Sequence, residues 1–134
     1  MSEGGRSTDT LKAFNASDMD DFVLISAGWM LNQQVTTYDE AGNVVPDDGE
    51  YQRRGAEMVY VFAEFMRDKG LLNDGVQVAR TPDFELRFSQ LTDSGQRFAK
   101  ASLHQWMQSL DRAGPRKKVD ATGLERRWAK FVAT

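Results

Sequence analysis

The amino-acid sequence predicts an α+β fold that is mostly helical, with four main helices and a two-stranded hairpin between the second and the third. Apolar residues recur at intervals of three and four in 50–72 and again in 92–112, which is the period of an amphipathic helix. Residues 84–91 instead alternate between apolar and polar, as in a half-buried strand. The chain has 134 residues, 40% of them hydrophobic, which is enough to form one core, so we expect a single domain.

The first predicted helix runs from about Ser17 to Leu31. Three aspartates fall in its first turn, where free backbone N–H groups favour negative charge. The run FVLISAGWML that follows is almost entirely apolar, which predicts burial on more than one side. Residues 1–10 are rich in Gly, Ser, Thr and charge, and we expect them to be disordered.

The second predicted helix, Glu50–Leu72, is the central element. Met58, Phe62 and Phe65 share one of its faces, which predicts that this face is buried in the core. Gly70 follows two cations and supplies a left-handed stop.

Two hairpins are predicted on either side of the central helix. Short extended pieces at 35–38 and 43–45 flank a turn at Gly42 and form a minor hairpin. Segments 76–79 and 84–91 are predicted to pair as a larger hairpin with one buried side.

Two more helices complete the prediction. Thr92 is an N-cap candidate for a helix through about Arg112, which Gly114-Pro115 ends. Asp120 or Thr122 caps the last helix. Its predicted buried stripe is Leu124, Trp128, Phe131 and Val132.

Charge is distributed unevenly along the chain. The net charge of −3 combines −8 in residues 1–50 with +5 in residues 112–134. The acidic loop and the basic helix face are each expected first as solvated surfaces, and second as candidate surfaces for a partner of opposite charge, or for one another. The acidic candidates are Asp39, Glu40, Asp47 and Asp48. The basic candidates are Arg112, Arg116, Lys117, Lys118, Arg126, Arg127 and Lys130.

No pattern typical of catalysis, of a metal site or of a cofactor is found. The chain has no Cys and one His, His104, which is too few for the usual transition-metal sets. The serines nearest to it in sequence, Ser102 and Ser109, are not at spacings that place them beside it on a helix. The acidic loop lacks the calcium-loop spacing, and no phosphate-binding glycine motif occurs. We therefore expect no enzyme, metal or cofactor, with a carboxylate-dependent enzyme as the weakest alternative.

The sequence has no secretory signal pattern and no apolar run near the about 20 residues that a bilayer requires. It therefore predicts a cytoplasmic protein that does not span a membrane.

Residues 65–99 resemble winged-helix regulators of the multiple-antibiotic-resistance-repressor type. The matching text is KGLL at 69–72, then Arg80, Pro82-Asp83 and Arg87, then LTDSGQRF at 91–98. The resemblance implies a winged-helix-like domain over 11–134 with its wing at 76–90. It also implies that Arg80 and Arg87 touch DNA and that the chain dimerises through residues 93–134.

Two functional hypotheses follow. The first is a small non-catalytic binding protein that acts through a protein partner, as a regulator, an adaptor or a toxin-neutralising immunity protein does. The second is a winged-helix DNA-binding transcriptional regulator. The first leads because no catalytic, metal or cofactor pattern occurs and because the chain has two charged surfaces of opposite sign. The second follows it because only Arg53 and Arg54 of the central helix are suited to DNA, and because the acidic segment ahead of that helix would repel phosphate. A homodimer is compatible with both.

Overall fold

The computed structural model describes residues 21–133, and they form four α-helices, four short strands and one 3-10 turn. In chain order these elements are β1 (Val23–Ser26), α1 (Ala27–Leu31), β2 (Thr37–Tyr38), β3 (Val44–Val45), α2 (Glu50–Asp68), β4 (Glu85–Arg87), the 3-10 turn Phe88–Gln90, α3 (Asp93–Ala113) and α4 (Thr122–Ala133). The predicted class, mostly helical α+β with four helices and a small antiparallel hairpin, is confirmed. The prediction of disorder for 1–10 lies outside the described residues.

The first predicted helix is wrong in its middle part, because Val23–Ser26 forms strand β1. This strand pairs antiparallel with β4, placing Ile25 opposite Leu86, and both side chains are buried. A continuous run of branched apolar side chains suits a buried strand as well as a buried helix, so its periodicity does not separate the two. Ser26 then caps the five-residue α1, its hydroxyl accepting from the backbone N–H of Trp29.

Helix α2 lies at the centre of the core, as predicted. Met58, Phe62 and Phe65 are buried along it. Gly70 has φ 71°, its N–H donates to the Arg67 carbonyl, and the next N–H donates to the Met66 carbonyl. These two bonds form the Schellman arrangement that ends many helices.

The predicted pairing of 76–79 with 84–91 is also wrong. Residues 76–79 form no strand, and β4 pairs with β1 instead. Contacts with α2 hold the segment: the Tyr60 hydroxyl donates to the Thr81 carbonyl at 2.7 Å, and Arg80 binds two glutamates of the helix. The minor hairpin is confirmed as β2 and β3, with Tyr38 opposite Val44.

Helix α3 begins and ends as predicted. The Thr92 hydroxyl accepts from the Gly95 backbone N–H, and Gly114 follows the last turn. The Thr92 N–H also donates to the Leu71 carbonyl at 2.9 Å, so the end of α2 and the start of α3 are tied together.

Helix α4 closes the core with an aromatic cluster. Trp128 packs edge-on against Phe98 with ring centroids 5.3 Å apart, and Phe131 packs against the same ring. Leu124 is fully buried. Val132, predicted on the buried stripe, is instead 57% exposed, because the helix reaches its end at the edge of the core.

Candidate partner-binding groove

A groove of about 1070 Å³ lies between the start of α2 and the linker that joins α3 to α4. Four apolar side chains of its lining, which we call the floor, are the buried Met58 of α2 and the half-buried Met30 of α1, Met107 of α3 and Val119 of the linker. Methionine is unbranched and polarizable, so it adapts its shape to what it contacts. The floor is therefore an apolar surface that can accommodate side chains of different shapes.

The acidic rim of the groove consists of Asp47, Asp48 and Glu50. The Asp47 carboxylate accepts hydrogen bonds from the Gly49 N–H and from the Gln52 side-chain amide, and Asp48 accepts one from the Glu50 N–H. The bond from Gly49 and then the one from Gln52 lower the pKa of Asp47 below its ordinary value. Asp47 therefore keeps its negative charge to a lower pH than an ordinary aspartate does.

Gln52 fixes the acidic rim to the rest of the fold. It is buried, and its amide nitrogen donates to the Gln33 carbonyl at 3.0 Å as well as to Asp47. This side chain thus joins the end of α1, the loop before α2 and α2 itself.

The basic rim lines the same groove and consists of Arg116, Lys117 and Lys118. All three are exposed, and none forms an ion pair within residues 21–133. The nearby Asp120 accepts from the Thr122 N–H at the start of α4, and this bond lowers the pKa of Asp120, with the charges of Lys117 and Lys118 as a smaller cause. The basic rim is therefore exposed and without a direct ion pair in the described residues, although Asp120 offsets part of the charge of its two lysines.

Arg54 holds the basic rim in place. One of its guanidinium nitrogens, Nη2, donates to the Leu110 carbonyl at 2.9 Å and to the Gly114 carbonyl at 3.0 Å. The last carbonyls of a helix have no partner within it, and a cation there complements the helix dipole. The side chain thus anchors the end of α3 and the first residue of the linker to α2.

Tyr51 adds an aromatic side chain beside the acidic rim. It is 55% exposed and lines the groove one residue after Glu50. An aromatic face near carboxylates is a favourable environment for a cation from a partner.

The structure divides the predicted partner-binding residues into groups. Asp47 and Asp48 line the same groove as Arg116, Lys117 and Lys118, although 67 residues or more separate them in sequence. Asp39 and Glu40 lie outside the groove, at the tip of the β2–β3 hairpin. The remaining predicted basic residues, which do not line the groove, are Arg112, Arg126, Arg127 and Lys130.

The two arginines predicted to contact DNA are engaged by carboxylates. Arg80 makes paired hydrogen bonds to Glu57 and Glu64 at 2.8 to 2.9 Å, which lower the pKa of Glu64 and raise that of Arg80. Arg87 donates to Asp21 at 3.1 Å and lies 3.4 Å from Glu85.

The methionine floor and the anchor Arg54 were not among the sequence-predicted site residues. The sequence predicts that Met58 and Met107 are core residues, because their apolar character and spacing are typical of a buried helix face. Among the described residues no group of three or more His, Asp or Glu is placed to hold a metal ion. His104 is exposed on α3, whereas Ser102 is buried and Ser109 donates to the Trp106 carbonyl.

Comparisons with known proteins add no relative: no family model matches the chain, and neither the curated proteins nor the solved structures contain a significant match. Within residues 21–133, no helix combines the length and the apolar character needed to cross a membrane.

Proposed function

We propose that this chain is a small non-catalytic binding protein that acts through a protein partner, of the regulatory, adaptor or toxin-neutralising immunity type. The observation that carries the proposal is the groove, which the apolar floor, the acidic rim and the basic rim line together, with Arg53 beside the acidic rim and Asp111 on the last turn of α3. Charges of both signs can fix the orientation of a bound partner, and the apolar floor adds contact area.

The size and composition of the groove favour a protein segment over a small ligand. Its volume of about 1070 Å³ lies just above the usual small-molecule range of about 300–1,000 Å³. Its lining includes Tyr51, Arg54 and Met58, and Tyr, Arg and Met are enriched at protein interfaces.

The second candidate function is DNA binding by a winged-helix regulator. The basic rim favours it, because three exposed cations without an ion pair in the described part of the chain could contact phosphates. The pairing of Arg80 and Arg87 with carboxylates counts against it, because DNA would have to replace those bonds.

A pull-down with rim variants tests the protein-partner proposal. The purified chain is used as bait beside Asp48→Lys and Lys117→Glu, one on each rim. We expect a stoichiometric partner that binds the wild type and binds at least one rim variant more weakly. The matched controls, Asp74→Lys and Lys130→Glu, reverse exposed charges away from the groove and should retain the partner.

Absence of a stoichiometric partner, or a partner that every variant retains equally, would contradict the proposal. The DNA alternative is tested with a random-sequence duplex at low ionic strength. DNA binding predicts retention that falls steeply with added salt and is weaker for Lys117→Glu. If no retention is seen, that alternative is rejected.

A further inference from the structure

The β2–β3 hairpin presents an apolar face that nothing in the described chain covers. Tyr38 and Val44 are directly opposite each other in the antiparallel pair and are 62% and 69% exposed. Neighbouring strand positions point to opposite faces, and Thr37 and Val45, on the other face, are half-buried. The hairpin therefore exposes an apolar pair on its outer face.

The tip of the hairpin is acidic, and hydrogen bonds within the hairpin hold it in place. The Asp39 carboxylate accepts from the Ala41 and Asn43 N–H groups, each at 2.9 Å, and Gly42 adopts φ 85°. Glu40 is exposed and forms no ion pair within residues 21–133. The protruding hairpin thus has an apolar face and a negatively charged end.

The groove has the complementary features. Its floor is apolar and its basic rim carries three cations without an ion pair in the described chain. Thr37 lines the groove, so the hairpin begins at the edge of the groove. A chain that carries both complementary features allows two copies to exchange the same contact around a two-fold axis.

We propose that the β2–β3 hairpin of a second copy of this chain docks in the groove, reciprocally, to form a closed two-fold dimer. Tyr38 and Val44 pack on the methionine floor, and Glu40 lies against Lys117 of the other copy. A convex hairpin fits a concave groove, whereas two grooves placed face to face would leave both floors empty. The dimer goes beyond the proposed function, since a partner protein that uses the groove must displace the hairpin.

A charge exchange tests this dimer. Sedimentation equilibrium of the full chain over a range of concentrations should show a monomer–dimer equilibrium, and added salt should lower its association constant. Glu40→Lys and Lys117→Glu should each weaken the dimer by roughly tenfold or more, because every substitution occurs twice in a two-fold interface. An equal mixture of the two variants should recover the dimer as a heterodimer, since both contacts then pair opposite charges.

The controls separate the interface from general effects. Asp74→Lys and Lys130→Glu reverse exposed charges elsewhere and should leave association unchanged. Val44→Ser should weaken the dimer, whereas Val132→Ser, at a valine 57% exposed on α4, should not. Recovery in the mixture also shows that both charge variants are folded.

Three results would overturn the proposal: a monomer at every concentration, a dimer that Glu40→Lys and Lys117→Glu leave intact, or variants that do not recover when mixed. A dimer insensitive to hairpin changes would place the interface elsewhere, as in the 93–134 dimer that the winged-helix resemblance implies. A monomeric chain that still captures a partner through its rims would reject the dimer and leave the proposed function standing.

Discussion

Replacing Arg54 by Ala should destabilise the fold and release the basic rim. The substitution removes the two hydrogen bonds from Nη2 to the Leu110 and Gly114 carbonyls, at 2.9 and 3.0 Å. A hydrogen bond to a charged group contributes about 1.5–3 kcal/mol when buried. Arg54 is half-buried and water can replace part of the loss, so we expect the free energy of unfolding to fall by about 2 kcal/mol.

The neighbouring Arg53 is the matched control. It is exposed, and its Nη1 donates to the Asp48 carbonyl at 3.0 Å. Substitutions at such surface positions usually change stability by no more than about 0.5 kcal/mol. Urea unfolding followed by circular dichroism should therefore rank Arg54→Ala well below Arg53→Ala. Equal unfolding free energies for the two variants would refute the assignment of Arg54 as the anchor of the linker.

Three further substitutions test the core and its pH dependence. Gly95→Ala should destabilise the protein by about 1–3 kcal/mol in thermal unfolding, because its Cβ would lie 2.5 Å from the Leu71 carbonyl oxygen; an unchanged melting temperature would contradict that close approach. Leu124 is fully buried, so Leu124→Ala should leave a cavity and lower the free energy of unfolding by about 2–5 kcal/mol. A decrease of less than about 1 kcal/mol, as at a surface site, would show that α4 is not packed on the core. Arg80 lowers the pKa of Glu64, so the stability from this pair is complete above the ordinary Glu pKa of 4.5 and is lost as pH falls through the lower folded value. Glu64→Gln should therefore lower the free energy of unfolding at neutral pH and make it decrease less steeply as the pH falls. Parallel pH profiles for the wild type and Glu64→Gln would contradict this prediction.

Local signals predicted the parts of the fold that short-range hydrogen bonds determine. Gly70 ends α2 because a left-handed residue there satisfies the final carbonyls, and Thr92 starts α3 because its hydroxyl accepts from Gly95. The partners in both motifs lie within five residues, so the sequence window contains all that decides them. The same holds for the minor hairpin around Gly42.

Strand pairing was not predictable in the same way. Residues 84–91 alternate as a strand should, but alternation does not say which segment supplies the opposite edge. The adjacent candidate, 76–79, is held against α2 by the Tyr60–Thr81 bond and by Arg80. Strand β4 instead pairs with β1, which belongs to an apolar run whose pattern also fits a helix. Side-chain contacts distant in sequence therefore decided between two locally acceptable structures.

The groove depends on the same kind of distant contact. The sequence places acidic residues before α2 and basic residues after α3, and it gives no indication that the two groups line the same groove. Their positions follow from two buried or half-buried side chains of one α2 turn: Gln52 fixes the acidic rim and Arg54 fixes the linker that carries the basic rim. The fold thus brings acidic and basic segments that are distant in sequence to one groove. Since Arg54 holds the linker that carries the basic segment, substitutions at Arg54 should affect binding and stability together.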